Sequence, residues 1–184
     1  MPPSPPPDLS LADVATVLRA SEDRTSVHRG QEGAGHAHGR HVALTNAELR
    51  NRVHTDARNG QVALFTAFVS TADQVAAARE TLNSVEGKWA RNQFRQAPGT
   101  PRHPKGSHNG MFARIFYSGQ TRIVRYAGGT GTMPMSDCQM IVARDDARPH
   151  GLHIKTFFAT MRESAPAHRV TVYNRDNSEF SRGP

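Results

Sequence analysis

His36, His38 and His41 fall within six positions of one another, and Arg52 follows His41 by eleven. Imidazole titrates near neutral pH and can move protons. Guanidinium presents a planar fork of donors that fits phosphate. Acid–base groups beside a phosphate clamp are what breaking a phosphodiester demands. The same histidines also admit a zinc reading, since His38 and His41 at i, i+3 can share a helix face. A closed zinc site takes three or four ligands, however, and the chain has no second cysteine and no His-Glu-x-x-His pattern. Neither a metal nor another cofactor is therefore expected.

The elements that must position these groups are legible as local signals. Thr45-Asn46-Ala47-Glu48 is a capping box that opens a helix over 46–58, closed by Asn59-Gly60. Leu49 and Val53 give this helix an apolar stripe, and Arg52 lies on an adjoining face. Residues 62–69 read as a strand. Ser70 or Thr71 then caps a second helix from 72 to about 94, with Val75, Ala78, Leu82, Val85 and Trp89 at the 3.6-residue period and Gly87 inside it. Residues 97–110 are rich in Pro, Gly and His and read as a basic loop. Beyond them, 111–118, 121–126, 138–144, 152–158 and 169–173 are candidate strands, with Gly119-Gln120 suited to a hairpin turn. Helices first and strands after describe an α+β domain with a mostly antiparallel sheet.

The 184 residues suffice for one domain with a real core. Residues 1–30, opened by five prolines and holding an apolar patch at 9–18, read as a leader with one short helix. Residues 31–177 read as the domain and 178–184 as a frayed tail. The net charge of +7 rests on 20 Arg and 3 Lys against 16 acidic residues. Such a balance suits a polyanionic partner, nucleic acid or an acidic protein. Cys138 is the one cysteine, so no internal disulfide exists; it precedes an apolar run and reads as core. No stretch is apolar enough to span a membrane, and the start lacks the pattern of a signal peptide.

An ordered series of features over residues 30–160 resembles a known family. Gly35-His36, Arg40-His41-Val42 and Leu49-Arg50-Asn51-Arg52 are followed by a strand at 65–69 and an Ala-rich helix reaching Trp89. Ile154-Lys155-Thr156-Phe157-Phe158 completes the series. The segment is similar to the RNase A-like toxin domain at the C-termini of contact-dependent growth inhibition proteins and related bacterial effectors. The resemblance implies an RNase A-like α+β fold and metal-independent cleavage of RNA, tRNA among the candidates. It also implies delivery into the cytoplasm of a target bacterium by a larger protein or secretion system, and a cognate immunity protein. By the same resemblance His41 is the catalytic histidine, Arg52 the phosphate-binding arginine and Thr156 the hydroxyl at the phosphate. The family can carry a tyrosine two residues after that threonine; Phe158 stands there and lacks the phenolic donor.

Cleavage without metal uses the ribose 2′-OH as an internal nucleophile, and needs one group to take its proton and another to protonate the departing 5′-oxygen. His41 is assigned one transfer. For the other, His153 is the first candidate and His36 the second. In a regular strand His153, Lys155 and Phe157 share one face and Ile154, Thr156 and Phe158 the other, so His153 and Thr156 point apart unless a bulge intervenes. His36, Lys155 and Phe158 complete the expected site as substrate contacts, Phe158 by stacking on a base. Gly128-Gly129-Thr130-Gly131 reads as a turn, Asp145-Asp146 as surface charge, and Arg122 and Arg125 either as RNA backbone contacts or as solvated strand charges. Two rival classes stay open: a non-catalytic RNA- or polyanion-binding domain, and a metal-dependent hydrolase built on the histidines.

Overall fold

The computed structural model describes residues 4–22, 25–26, 33–34, 37, 41–58, 65–97, 111–160, 169–174 and 178–183. Helix α1 (Leu11–Glu22) opens on a reciprocal cap. The Ser10 hydroxyl accepts from the Asp13 N–H at 3.1 Å, while the Asp13 carboxylate accepts from the Ser10 N–H at 2.8 Å. Its stripe of Val14, Val17 and Leu18 is buried, as is Leu9 just before it. Each such side chain contributes roughly 1.5–3 kcal/mol on burial. Ser21, fully buried at the end of the stripe, accepts a hydrogen bond from the Ile154 N–H at 2.9 Å. The preceding residues are strapped down as well. The Asn83 side chain both donates to and accepts from the Leu9 backbone at 2.9 Å, Lys88 pairs with Asp8 at 2.6 Å, and Arg91 donates to the Pro7 carbonyl. The described part of the expected leader thus shares the domain's core, because its apolar stripe and the sheet need the same cover.

Helix α2 (Asn46–Arg58) starts as the capping box requires. The Glu48 carboxylate accepts from the Thr45 N–H at 2.7 Å, and the Thr45 hydroxyl accepts from the Glu48 N–H at 3.2 Å. The expected helix over 72–94 is two helices, α3 (Thr71–Asn83) and α4 (Val85–Gln96), broken at Ser84. Ser84 caps α4 by accepting from the Gly87 N–H at 3.0 Å. A Cβ on Gly87 would sit 2.1 Å from the Thr81 carbonyl oxygen, so this tight junction requires glycine. The break also turns Val85 out to solvent, 70% exposed, where an unbroken helix would have buried it.

Two short strands, β1 (Thr25–Ser26) and β2 (Gly33–Ala34), pair with each other. The main sheet holds β3 (Thr66–Phe68), β4 (Phe112–Tyr126), β5 (Thr132–Arg144), β6 (Leu152–Ala159), β7 (Val170–Tyr173) and β8 (Glu179–Arg182). Its order is β6-β5-β4-β7-β8, with β3 on the far half of β4, and every pairing is antiparallel. The architecture is therefore α+β, helices followed by an antiparallel sheet.

Three expectations are corrected here. Gly119-Gln120 forms no hairpin turn: β4 runs straight through, with a register irregularity between Ser118 and Arg122. Glycine suits this point because the ring of Tyr117 folds over it, 2.2 Å from where a Cβ would stand. The frayed tail is instead strand β8, whose backbone has the open edge of β7 to pair with. Asp145 is buried rather than a surface charge; its carboxylate is held 2.6 Å from Arg148 and caps the turn at the Ala147 N–H.

Register assigns the two faces of the sheet, since directly opposed residues project to the same side. Met140 with Phe157 and Ile115, and Val142 with Ile154 and Ala113, form the face packed under the helices. The opposite face carries Gln139 with Phe158 and Phe116, Ile141 with Thr156 and Arg114, and Ala143 with His153 and Phe112. This alternation holds because β6 contains a bulge. Ile141 opposes Thr156 while Val142 opposes Ile154, leaving Lys155 as the extra residue. Thr156 and His153 consequently share a face.

Candidate functional site

His41 and Thr156, 115 residues apart in the chain, meet where β3 comes against β6. The approach of the two strands is fastened by Thr66 of β3, whose buried hydroxyl donates to the Ala159 carbonyl of β6 at 2.5 Å. Val42 forms a parallel bridge with Phe68, and the Ala43 N–H donates to the Phe68 carbonyl at 2.9 Å. The chain turns away directly afterwards, with Ala43 in the left-handed region at φ 55°. His41 is thereby pinned to the side of β3.

Among the described residues, a carbonyl and a hydroxyl flank its ring. Nδ1 lies 3.4 Å from the Thr66 carbonyl oxygen and Nε2 lies 3.4 Å from the Thr156 hydroxyl. A carbonyl can only accept, so the contact favours the proton on Nδ1 and leaves Nε2 as the basic nitrogen of the neutral ring. Phe158 stacks on the imidazole with ring centroids 5.1 Å apart and planes 29° apart. His41 keeps 8% of its surface exposed and Thr156 keeps 7%. One nitrogen oriented by a carbonyl, the other facing a hydroxyl, and a ring clamped by an aromatic is an arrangement suited to proton transfer. Both polar contacts are long, as catalytic contacts often are before substrate tightens them.

Of the residues singled out in the sequence, the fold brings His41, Thr156 and Phe158 together. Arg52 lies on α2, partly buried, one turn past Glu48 and close enough for its charge to help lower the Glu48 pKa. Leu49 places that helix, docking in a small apolar cluster with Ala67 and Ala127 against which Val53 and Phe65 pack. Lys155 occupies the bulge next to Thr156, and partial burial lowers its ammonium pKa. His153 shares the site's face of the sheet but is wholly buried, about 7 Å along the sheet from Thr156, since the two oppose Ala143 and Ile141 on β5. His36 and His38 lie outside the described residues, as does most of the basic loop of 97–110. Among the described residues no group of three or more His, Cys, Asp or Glu is arranged to hold a metal ion.

Sequence reasoning missed Thr66, which contributes a carbonyl to one end of the site and a hydroxyl that ties its two strands. Nothing in a strand of type Thr-Ala-Phe signals either role. Arg122, a candidate for RNA backbone, is instead paired with Glu80 of α3. Cys138 is free and buried in the core, its thiol pushed up to about 12 by desolvation. No helix of the described residues is long and apolar enough to cross a membrane.

Neither a protein-family model nor a curated protein matches the sequence. Among solved structures the chain is similar to one in a complex described as CdiA-CT/CdiI from Y. kristensenii. The two are 27% identical over 69% of this chain and 100% of that one, with a TM-score of 0.48.

Proposed function

We propose that this protein is a metal-independent endoribonuclease toxin domain. The observation that carries the reading is His41, with Nδ1 on a carbonyl and Nε2 on the Thr156 hydroxyl, on a strongly basic protein. In the proposed reaction His41 Nε2 takes the proton of the ribose 2′-OH. The 2′-oxygen forms a bond to phosphorus, the bond from phosphorus to the 5′-oxygen breaks, and a second group protonates that oxygen. The products are a 2′,3′-cyclic phosphate and a 5′-hydroxyl. Arg52 and Thr156 hold the phosphate, and their fixed donors stabilise charge that grows on its oxygens in the transition state. Lys155 adds a cation beside them, and Phe158, while clamping His41, offers its edge of the site to a base. The buried His153 takes no part in proton transfer here; the second transfer falls to His36, five positions before His41.

The setting follows from the family resemblance of the sequence: competition between bacteria, delivery into a target cell by a larger protein, and a cognate immunity protein covering the basic site. The test is incubation of the purified protein with total RNA or tRNA in EDTA, beside His41→Ala and Arg52→Ala. Cleavage by the wild type alone, leaving cyclic phosphate ends, is the expected outcome. RNA that is bound but left intact by the wild type overturns the enzyme in favour of a binding domain. Activity abolished by EDTA overturns it in favour of a metal-dependent hydrolase.

A further inference from the structure

The sheet face that carries the candidate site continues well past it. Reading across β6, β5 and β4, Phe158, Gln139 and Phe116 form one row, and Thr156, Ile141 and Arg114 the next, which β7 extends with Thr171. A third row runs His153, Ala143, Phe112 and Tyr173. The first two rows are open: Arg114 is exposed, and Phe116, Gln139, Ile141 and Thr171 are each partly exposed. The helices cover the other side of these strands, where Ile115, Met140, Val142 and Val172 lie in the core. The third row closes the surface, with His153, Ala143 and Phe112 buried.

Arg114 is the feature that gives this face a ligand. Among the described residues no carboxylate pairs with it. Its guanidinium lies over the ring of Tyr173, 5.9 Å from the centroid, and that ring is itself stacked on Phe112 with centroids 4.8 Å apart. The cation is therefore held in place on an aromatic base while its charge stays open to solvent. Adjacent strands are about 4.8 Å apart, so Arg114 stands roughly 10 Å across the sheet from Thr156. Partly exposed aromatic rings lie in the neighbouring row at both ends of that span, Phe158 on β6 and Phe116 on β4. At the far end of the face Ser118 and Asp137, hydrogen-bonded at 2.5 Å, place a negative charge that bounds the basic surface.

The geometry points to this face as a track for single-stranded RNA, with Arg114 holding a phosphate beyond the one being cleaved and Phe116 stacking on an unpaired base. The inference rests on the ribonuclease reading for the position of the cleaved phosphate. An aromatic and basic platform suits single strands because unpaired bases expose their faces, whereas a duplex hides them. Charge suits any polyanion; the partly exposed rings of Phe116 and Phe158 and the continuity with the site select RNA as the occupant over an acidic protein.

The experiment compares wild type, Arg114→Gln and Arg114→Lys. Turnover is measured on a dinucleoside monophosphate, which spans only the cleaved bond, and on a ten-nucleotide single-stranded RNA. Binding of the longer RNA is measured in the His41→Ala background as a function of salt. Arg114→Gln is expected to weaken that binding on the order of fivefold and to lower the salt slope by about one, leaving dinucleotide turnover unchanged. Arg114→Lys should recover the slope more fully than the affinity. Cleavage of both substrates with no effect of Arg114→Gln overturns the track while the enzyme stands. Equal loss on both substrates overturns it too, by placing Arg114 in the reaction centre. RNA binding that depends on Arg114 without any cleavage supports the track and overturns the enzyme. Competition by polyglutamate or duplex RNA as effective as by single strands overturns the choice of ligand.

Discussion

His41 and His153 are both histidines on the same side of the sheet, and their surroundings differ in kind. His41 sits between two strands, with a carbonyl on one nitrogen, a hydroxyl near the other, and a small part of the residue open. His153 stands opposite Ala143 within the strand pairing and is wholly covered. The sequence offered both for proton transfer, His41 first and His153 as a candidate for the second step. Burial separates them: a proton carrier must reach solvent or substrate, so the proposed mechanism leaves the sealed imidazole of His153 out of proton transfer. The bulge at Lys155 makes the comparison sharper, because it sets both residues on one face and leaves depth as the difference.

The largest effect should come from His41→Ala, which removes the proposed base. RNA cleavage is expected to fall about 10²–10⁴-fold, measured on purified protein whose melting curve confirms folding. His153→Ala is the counter-experiment. It should destabilise the fold by roughly 2–3 kcal/mol through the cavity it leaves, with cleavage per folded molecule unchanged. A catalytic loss like that of His41→Ala would reverse the assignment of the two histidines.

Smaller changes test how His41 is held. Thr156→Val keeps the shape and removes the hydroxyl, and should slow cleavage about tenfold, the weight of one hydrogen bond. Phe158→Leu removes the stacked ring at a cost of about 0.5–1.5 kcal/mol, read as a several-fold fall in turnover with a shifted pH profile. The smallest effect concerns the helix that carries Arg52. Hydrogen bonds from the Thr45 N–H and hydroxyl hold the Glu48 carboxyl below its ordinary value. Its contribution is complete above the unfolded-state pKa near 4.5 and is lost as pH falls through the lower folded-state value. Glu48→Gln should therefore lower the melting temperature slightly at neutral pH and leave the value at low pH nearly unchanged, which flattens the acid side of the plot.

Local signals in the sequence reached far. The capping box at Thr45 fixed the start of α2, because a cap is written in neighbouring residues. Periodicity placed α3, residue type proposed His41 and Phe158, and the family resemblance proposed Thr156; the fold brings the three together. Sequence alone also determined a basic, disulfide-free chain and the α+β order of helices before strands. The remaining features depended on partners far along the chain. Gly119 looked like a turn and proved to lie inside a strand, since its neighbour Tyr117 needed room rather than the backbone a reversal. The N-terminal residues looked like a leader and became core, because only the assembled sheet offers α1 a surface to cover. Whether Thr156 and His153 share a face depended on a single bulge in β6, and bulges are set by pairing between strands. The orientation of His41 depended on the Thr66 carbonyl, 25 residues away. Candidate groups for chemistry could be picked out by residue type and resemblance, whereas accessibility and direction required the tertiary structure, because both are properties of what surrounds a side chain.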